Sequence, residues 1–204
     1  MATTTTTRRP RAKPQTKTEA RQERGSSIGT IAGAGAAGMA IGVLAMLARK
    51  AAVQAPTLLA GDWDQALAAE HRAVSKLFDA LEATDARNTT KRTILLAQMK
   101  HALAKHALEE ENVIYPALRE AGEVAEADEL NKEHGYVKQY LYELENMPND
   151  SPAFLETVRK FRYDIEEHMA EEEGKLFPAL KAKLSDEKNA LLTATMNKEG
   201  FKLA

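Results

Sequence analysis

The chain repeats itself. Residues 106–118 read HALEEENVIYPAL and residues 168–180 read HMAEEEGKLFPAL. A histidine, three glutamates, an aromatic–proline pair and a closing Ala-Leu recur in one register, 62 residues on. Upstream of each lies a second matched pair, EHRAVSKLFDALE at 70–82 and EHGYVKQYLYELE at 133–145, at an offset of 63. A duplicated unit that cannot bury its own apolar face must pack against its copy, so the repeat dictates two similar halves around one core.

The apolar residues inside the repeat return with a helical period. Leu67, Val74, Leu77, Phe78 and Leu81 mark a first helix over about 63–83. Ile94, Leu95, Met99, Leu103, Val113, Ile114 and Leu118 mark a second over about 90–119. Leu130, Val137, Tyr140, Leu141 and Leu144 mark a third over about 124–145. A fourth starts after Asn149-Asp150-Ser151, a capping cluster with Pro152 at the first helical position, and runs through Phe154, Val158, Phe161, Ile165, Phe177 and Leu180. A shorter helix over 186–196 follows. Short polar connectors make neighbouring helices antiparallel. Valine and isoleucine are sparse and no strand pattern competes, so the expected class is all-α, a four-helix bundle built from two hairpins.

Each half carries one lone histidine and one His-x3-Glu pair: His71 with His106 and Glu110, then His134 with His168 and Glu172. Positions i and i+4 differ by about 40° around a helix, so each histidine and its glutamate share a face. Glu109 and Glu171, at i+3, lie on the other side of that face as further ligands or supporting groups; Glu111 and Glu173, at i+5, turn toward the bundle edge. Taken singly, each is an ordinary surface residue. Four of the five histidines at matched positions in a duplicated frame are not, because burying such groups is costly unless something uses them. His101 is rotated away from the others and reads as a surface residue. Tyr115-Pro116 and Phe177-Pro178 read as structural, with each proline kinking its helix beyond the histidine layer. The chain has no cysteine, which excludes disulfides, thiolate sites and iron–sulfur clusters. Nitrogen and oxygen donors remain, a set suited to iron, manganese or zinc.

Residues 1–24 form a polar, basic tail without apolar period, expected to be disordered. Residues 28–48 are uncharged and rich in glycine and alanine; as a helix they would span about 31 Å, near the thickness of a bilayer's hydrocarbon. They are expected to be a membrane anchor, with a soluble interface helix or a linker as the alternative reading. Residues 1–50 carry a net charge of +7 and residues 51–204 a net charge of −9, so the bundle is too acidic to suggest nucleic-acid binding. The expected layout is a tail (1–24), an apolar helix (28–48), a metal-binding bundle (62–184) and a C-terminal helix and tail (185–204).

Over residues 62–184 the order H, H-x3-E…P-x-L, H, H-x3-E…LFP-x-L resembles the hemerythrin family, specifically its HHE cation-binding group. The resemblance implies an up-down-up-down bundle holding two carboxylate-bridged non-haem irons that bind oxygen or a related small ligand. By matching, His71 and His106 would serve one iron, His134 and His168 the other, with Glu110 and Glu172 as bridges. The chain departs from hemerythrin in the third helix, where the family offers H-x3-H and this chain has Lys138, whose ammonium offers no lone pair. The matching place in the first helix is Ser75. A poorer histidine set points away from stable oxygen carriage, and toward sensing of oxygen, nitric oxide or peroxide, or toward iron handling. The competing functions are a di-iron oxidase or peroxidase and a metal-free structural bundle tethered to a membrane. The expected location is a membrane reached through residues 28–48, and otherwise the cytoplasm.

Overall fold

The computed structural model describes residues 59–204, together with Met1, Met46, Ala48, Lys50, Gln54, Ala55 and Thr57. The basic tail and the expected membrane segment fall almost wholly outside these residues. Among the described residues no helix is long and apolar enough to cross a membrane, and none is in a strand.

Seven α-helices follow Gly61: α1 (Trp63–Glu82), α2 (Thr89–Glu109), α3 (Tyr115–Glu120), α4 (Val124–Asn146), α5 (Pro152–Glu171), α6 (Phe177–Lys183) and α7 (Asp186–Gly200). A single π turn joins α2 to α3 (Glu110–Ile114) and another joins α5 to α6 (Glu172–Leu176). The second and fourth rods of the bundle are therefore α2–α3 and α5–α6. α1, α2–α3, α4 and α5–α6 pack in turn around a closed ring. Local chemistry sets the ends. Ser151 Oγ accepts from Ala153 N at 3.2 Å, with Pro152 at the first helical position, so α5 starts where the sequence signals a start. Gly122, at φ +94°, lets the chain reverse after α3: Glu123 N donates to Leu118 O and Gly122 N to Arg119 O.

A π turn precedes each of Pro116 and Pro178, the two places where a kink is expected. A proline lacks an N–H and collides with the carbonyl four residues back, here Asn112 or Gly174. The inserted residue of a π turn moves that carbonyl aside, and helical structure resumes directly at Tyr115 and Phe177. The duplicated prolines thus fix a duplicated π turn just past Glu110 and Glu172.

The core has two apolar layers. One holds Val74, Phe78, Leu96, Met99, Leu144, Phe154, Val158 and Phe161, with Phe78 edge-on to Phe161 at 5.1 Å. The other holds Trp63, Leu67, Ile114, Leu118, Leu130, Phe177, Leu180 and Met196. α7 closes this second end: Met196 is buried there, and Trp63 Nε1 donates to Asn189 Oδ1 at 3.0 Å. Each large apolar side chain buried in these layers contributes about 1.5–3 kcal/mol. Between the layers, every rod changes from apolar to His or Glu at the same height.

Candidate metal centre

α1 supplies His71, α2 His106, α4 His134 and α5 His168 to that height; Glu110 and Glu172 open the two π turns. All six are buried, none more than 6 % exposed. Their ring nitrogens converge. Glu110 Oε2 lies 3.1 Å from His106 Nε2 and 3.3 Å from His134 Nε2. Glu172 Oε2 lies 3.4 Å from His168 Nε2 and 3.5 Å from His71 Nε2. Each carboxylate therefore reaches the histidine of its own rod and the lone histidine of the other half. The donors form two groups, each within 4.8 Å: His71, His106, Glu110 and Glu172, and Glu110, His134 and His168. Glu110 belongs to both.

Behind the rings lies a second tier of four glutamates. His71 Nδ1 meets Glu173 at 2.7 Å and His106 Nδ1 meets Glu70 at 3.1 Å. His134 Nδ1 meets Glu111 at 3.0 Å and His168 Nδ1 meets Glu133 at 2.7 Å. A carboxylate on Nδ1 fixes the proton there and leaves Nε2 as a lone pair aimed at the centre, the usual arrangement behind a metal-bound imidazole. The i+5 glutamates do sit at the bundle edge, as spacing predicts, but they reach inward to the lone histidines. Glu70 and Glu133 precede those same histidines; their signal in the sequence is the duplicated Glu-His pair, which spacing alone did not mark as functional.

The donor chemistry fits a cation. With each Nδ1 held, four Nε2 atoms and two carboxylates face one another in a buried layer. Burial opposes protonation of His106 and His134, yet Glu110 raises both, His106 well above the usual imidazole value, so protons stand where a cation would sit. His71 Nε2 and His106 Nε2 approach to 3.0 Å. Glu110 Oε1, Glu172 Oε2 and His168 Nε2 are buried with no hydrogen-bond partner. Such acceptors cost free energy unless a donor or a metal satisfies them. The protons left inside show the same strain. Burial, with His106 nearby, pushes the His71 imidazolium down to about 3. Burial opposes ionisation of Glu110, yet His106 and His134 hold it well below the ordinary carboxylate range. Burial, reinforced by Glu110, pushes Glu172 well above that range. A divalent ion between these groups would displace the protons on Glu172, His106 and His134.

One donor does enter the layer. The Tyr115 hydroxyl lies 3.2 Å from Glu110 Oε2, 2.9 Å from Glu172 Oε1 and 3.0 Å from His134 Nε2. Burial, with Glu110 and Glu172 beside it, holds its phenol well above the usual value, so it keeps its proton. The sequence reading takes Tyr115, with Pro116, as structural, and in an α-helix its i+5 place would stand about 140° off the face of Glu110. The π turn brings i+5 back over i, and Tyr115 N donates to Glu110 O. The matching Phe177 stacks instead on His71, with centroids 6.3 Å apart.

Three other residues settle differently. Lys138 turns outward to Glu111, 3.0 Å away, and joins no donor group. His101 is half-buried rather than at the surface, with Nε2 unpartnered, and it too joins neither group. Lys105, one residue before His106, is buried between Glu70 and Glu109, and Thr57 Oγ1 donates to Glu70 at 2.7 Å.

Comparison with known proteins agrees with this geometry. A family model, the hemerythrin HHE cation-binding domain, matches residues 64–180. A Nostoc protein named a DNA nickase is 29 % identical over 118 residues, which cover 58 % of this chain and 33 % of that protein. An uncharacterised hemerythrin-like protein of Schizosaccharomyces pombe is 30 % identical over 101 residues, covering 47 % of this chain and 49 % of that one. The chain thus spans between a third and a half of the length of these relatives. The crystal structure of a hemerythrin HHE cation-binding domain-containing protein from Mycobacterium kansasii superposes with a TM-score of 0.62 at 23 % identity. That match covers 70 % of this chain and 87 % of the other, and it establishes the likeness of fold.

Proposed function

The chain belongs to the hemerythrin HHE cation-binding family, and from that premise we propose that its His–Glu layer holds two non-haem irons and offers them to oxygen, nitric oxide or peroxide. The observation that carries the proposal is the pair of carboxylates, Glu110 and Glu172, each spanning histidines of both halves. Bridging carboxylates with imidazoles from facing helices are the equipment of a dinuclear site in a bundle. His71 and His106 would hold one ion and His134 and His168 the other. When bound, the irons supply redox-active positions with room for a small exogenous ligand. Manganese or zinc could occupy the same donors.

The chain's own residues do the rest. Glu173, Glu70, Glu111 and Glu133 hold the four rings in one tautomer and orientation. The two apolar layers flank the centre on either side along the bundle. Tyr115 places one O–H against both bridging carboxylates, where it can donate to a bound anionic ligand. Lys138 supplies no lone pair, which favours sensing, reaction or iron handling over oxygen carriage. The buried phenol is also what supports the second reading, an oxidase or peroxidase, since it sets a proton donor at the reacting centre. A membrane tether through residues 28–48 belongs to the same proposal, and fractionation of the full chain against a chain lacking those residues tests it.

The primary test is metal analysis of the full chain purified with iron available. About two irons per chain, the complement of a dinuclear bundle, together with a visible band in air, is the expected result. A folded protein that takes up no metal under any loading condition overturns it and leaves a structural bundle.

A further inference from the structure

A cavity of about 310 Å³ runs from the surface to the histidine layer, bounded by α2, α4 and α5. His106, His134 and His168 form its inner end, and His168 Nε2 is buried there without a partner. Its walls are Leu103, Leu141, Ile165 and Met169, all buried. Its mouth carries Lys100, Lys138 and Glu145. Those charges are already matched: Lys100 donates to both oxygens of Glu145 at 2.8 Å, and Lys138 pairs with Glu111.

Size and chemistry both restrict the guest. An apolar cavity of about 150 Å³ stays dry and takes a benzene ring. The volume here is about twice that and far exceeds a diatomic molecule. Apart from the exposed Tyr142, the walls between the charged rim and the histidines offer no hydrogen-bonding group, so water is poorly held. The paired rim leaves no free charge for an ionic head, which would also meet the desolvation cost of entering an apolar bore.

We propose that this cavity is a binding site for a neutral apolar organic molecule of about the bulk of two fused rings, seated with one end against His106, His134 and His168. It deepens the metal-centre reading by naming the class of molecule set beside that centre, but binding itself needs no metal. Naphthalene is the probe, and equilibrium dialysis against the full chain, iron-loaded and metal-stripped, is the measurement. Ala104 lines the cavity from an exposed place on α2, so Ala104→Trp plugs the mouth without entering the core. Ala107→Leu fills it further in and guards against a local effect of the indole.

The expected result is one saturable site per chain in both preparations, weakened at least about tenfold by either variant, with metal content unchanged in Ala104→Trp. Absence of saturable binding, or binding indifferent to both variants, overturns the proposal. Binding by a chain that takes up no metal sustains the cavity and defeats the di-iron reading; metal uptake without binding does the reverse.

Discussion

Glu70 and Glu133 stand at matched places in the two halves and hold matched histidines, but their surroundings differ. Glu70 has a side chain 14 % exposed and Glu133 one 31 % exposed. Behind Glu70 lie Lys105 and Glu109, both buried; at the corresponding places in the second half, Glu167 and Glu171 are exposed. The cause lies outside the repeat. Gln54 and Thr57 on one side, and Gly200 at the end of α7 on the other, cover the first half. Gly200 approaches so closely that a Cβ there would stand 1.7 Å from Glu109 Oε1. Burial, with Glu70 beside it, pushes the Glu109 carboxyl up to about 8. Duplication thus accounts for the His–Glu layer, and the flanking segments around Thr57 and Gly200 then seal one half and leave the other open.

The largest effect separates the two bridging carboxylates. Glu110 belongs to both donor groups and Glu172 only to the first. Glu110→Ala should abolish metal uptake, whereas Glu172→Ala should leave the group of Glu110, His134 and His168 with reduced occupancy. Metal analysis of the two variants checks this; equal loss would mean that the halves share their bridges evenly.

The sealed side offers the next break. Lys105→Met leaves Glu70 and Glu109 buried without their cation, and losing one partner of a buried pair costs about 3–5 kcal/mol. The matching Glu167→Met lies on an exposed face and should change stability by less than about 0.5 kcal/mol. Denaturant unfolding of metal-stripped protein measures both. Equal values would show that the first half is no more sealed than the second.

What the sequence reveals stops where the regular helix stops. His106 and Glu110 share a face by α-helical spacing, and α2 is α-helical up to that point, so convergence of the six side chains is legible from the repeat. Past Glu110 the π turn shifts every later residue, and spacing misplaces Tyr115. The glutamates on Nδ1 are half legible: the duplicated Glu-His pairs and glutamate triplets are visible, but which carboxylate reaches which ring depends on how rods pack across tens of residues. The i+4 spacing of Lys105 and Glu109 is visible in the sequence, but the burial of the pair is not, because Thr57 and Gly200, which close over it, come from segments outside the duplicated frame. Lys138, set aside by its chemistry, pairs its ammonium with Glu111.

A smaller effect tests whether the four supporting glutamates are equivalent. Glu173→Gln and Glu70→Gln each replace a carboxylate on a histidine Nδ1, one exposed and one sealed. Removing such a support costs about 10–100-fold in metal affinity. Glu173→Gln should fall at the low end, since solvent can replace it, and Glu70→Gln at the high end. Competition with a chelator gives both values. His101→Ala should leave affinity unchanged, because His101 joins neither donor group.

The last effect, expected to be small in metal-loaded protein, concerns a second place where the His–Glu layer departs from symmetry. Tyr115 and Phe177 occupy matched positions after matched π turns, and only the first carries a hydroxyl. Tyr115→Phe makes the halves alike and removes the sole O–H shared by Glu110 and Glu172. In metal-stripped protein that bond helps satisfy two buried carboxylates, so its loss should cost about 1–3 kcal/mol. In loaded protein a cation satisfies the same oxygens and the cost should shrink. Metal stoichiometry should hold, and the visible band should shift if the phenol lies against the bound ions. Thermal unfolding of both preparations decides it: equal destabilisation with and without metal would show that Tyr115 only fills space between Ile114 and His134, and that the asymmetry of the layer has no electrostatic consequence.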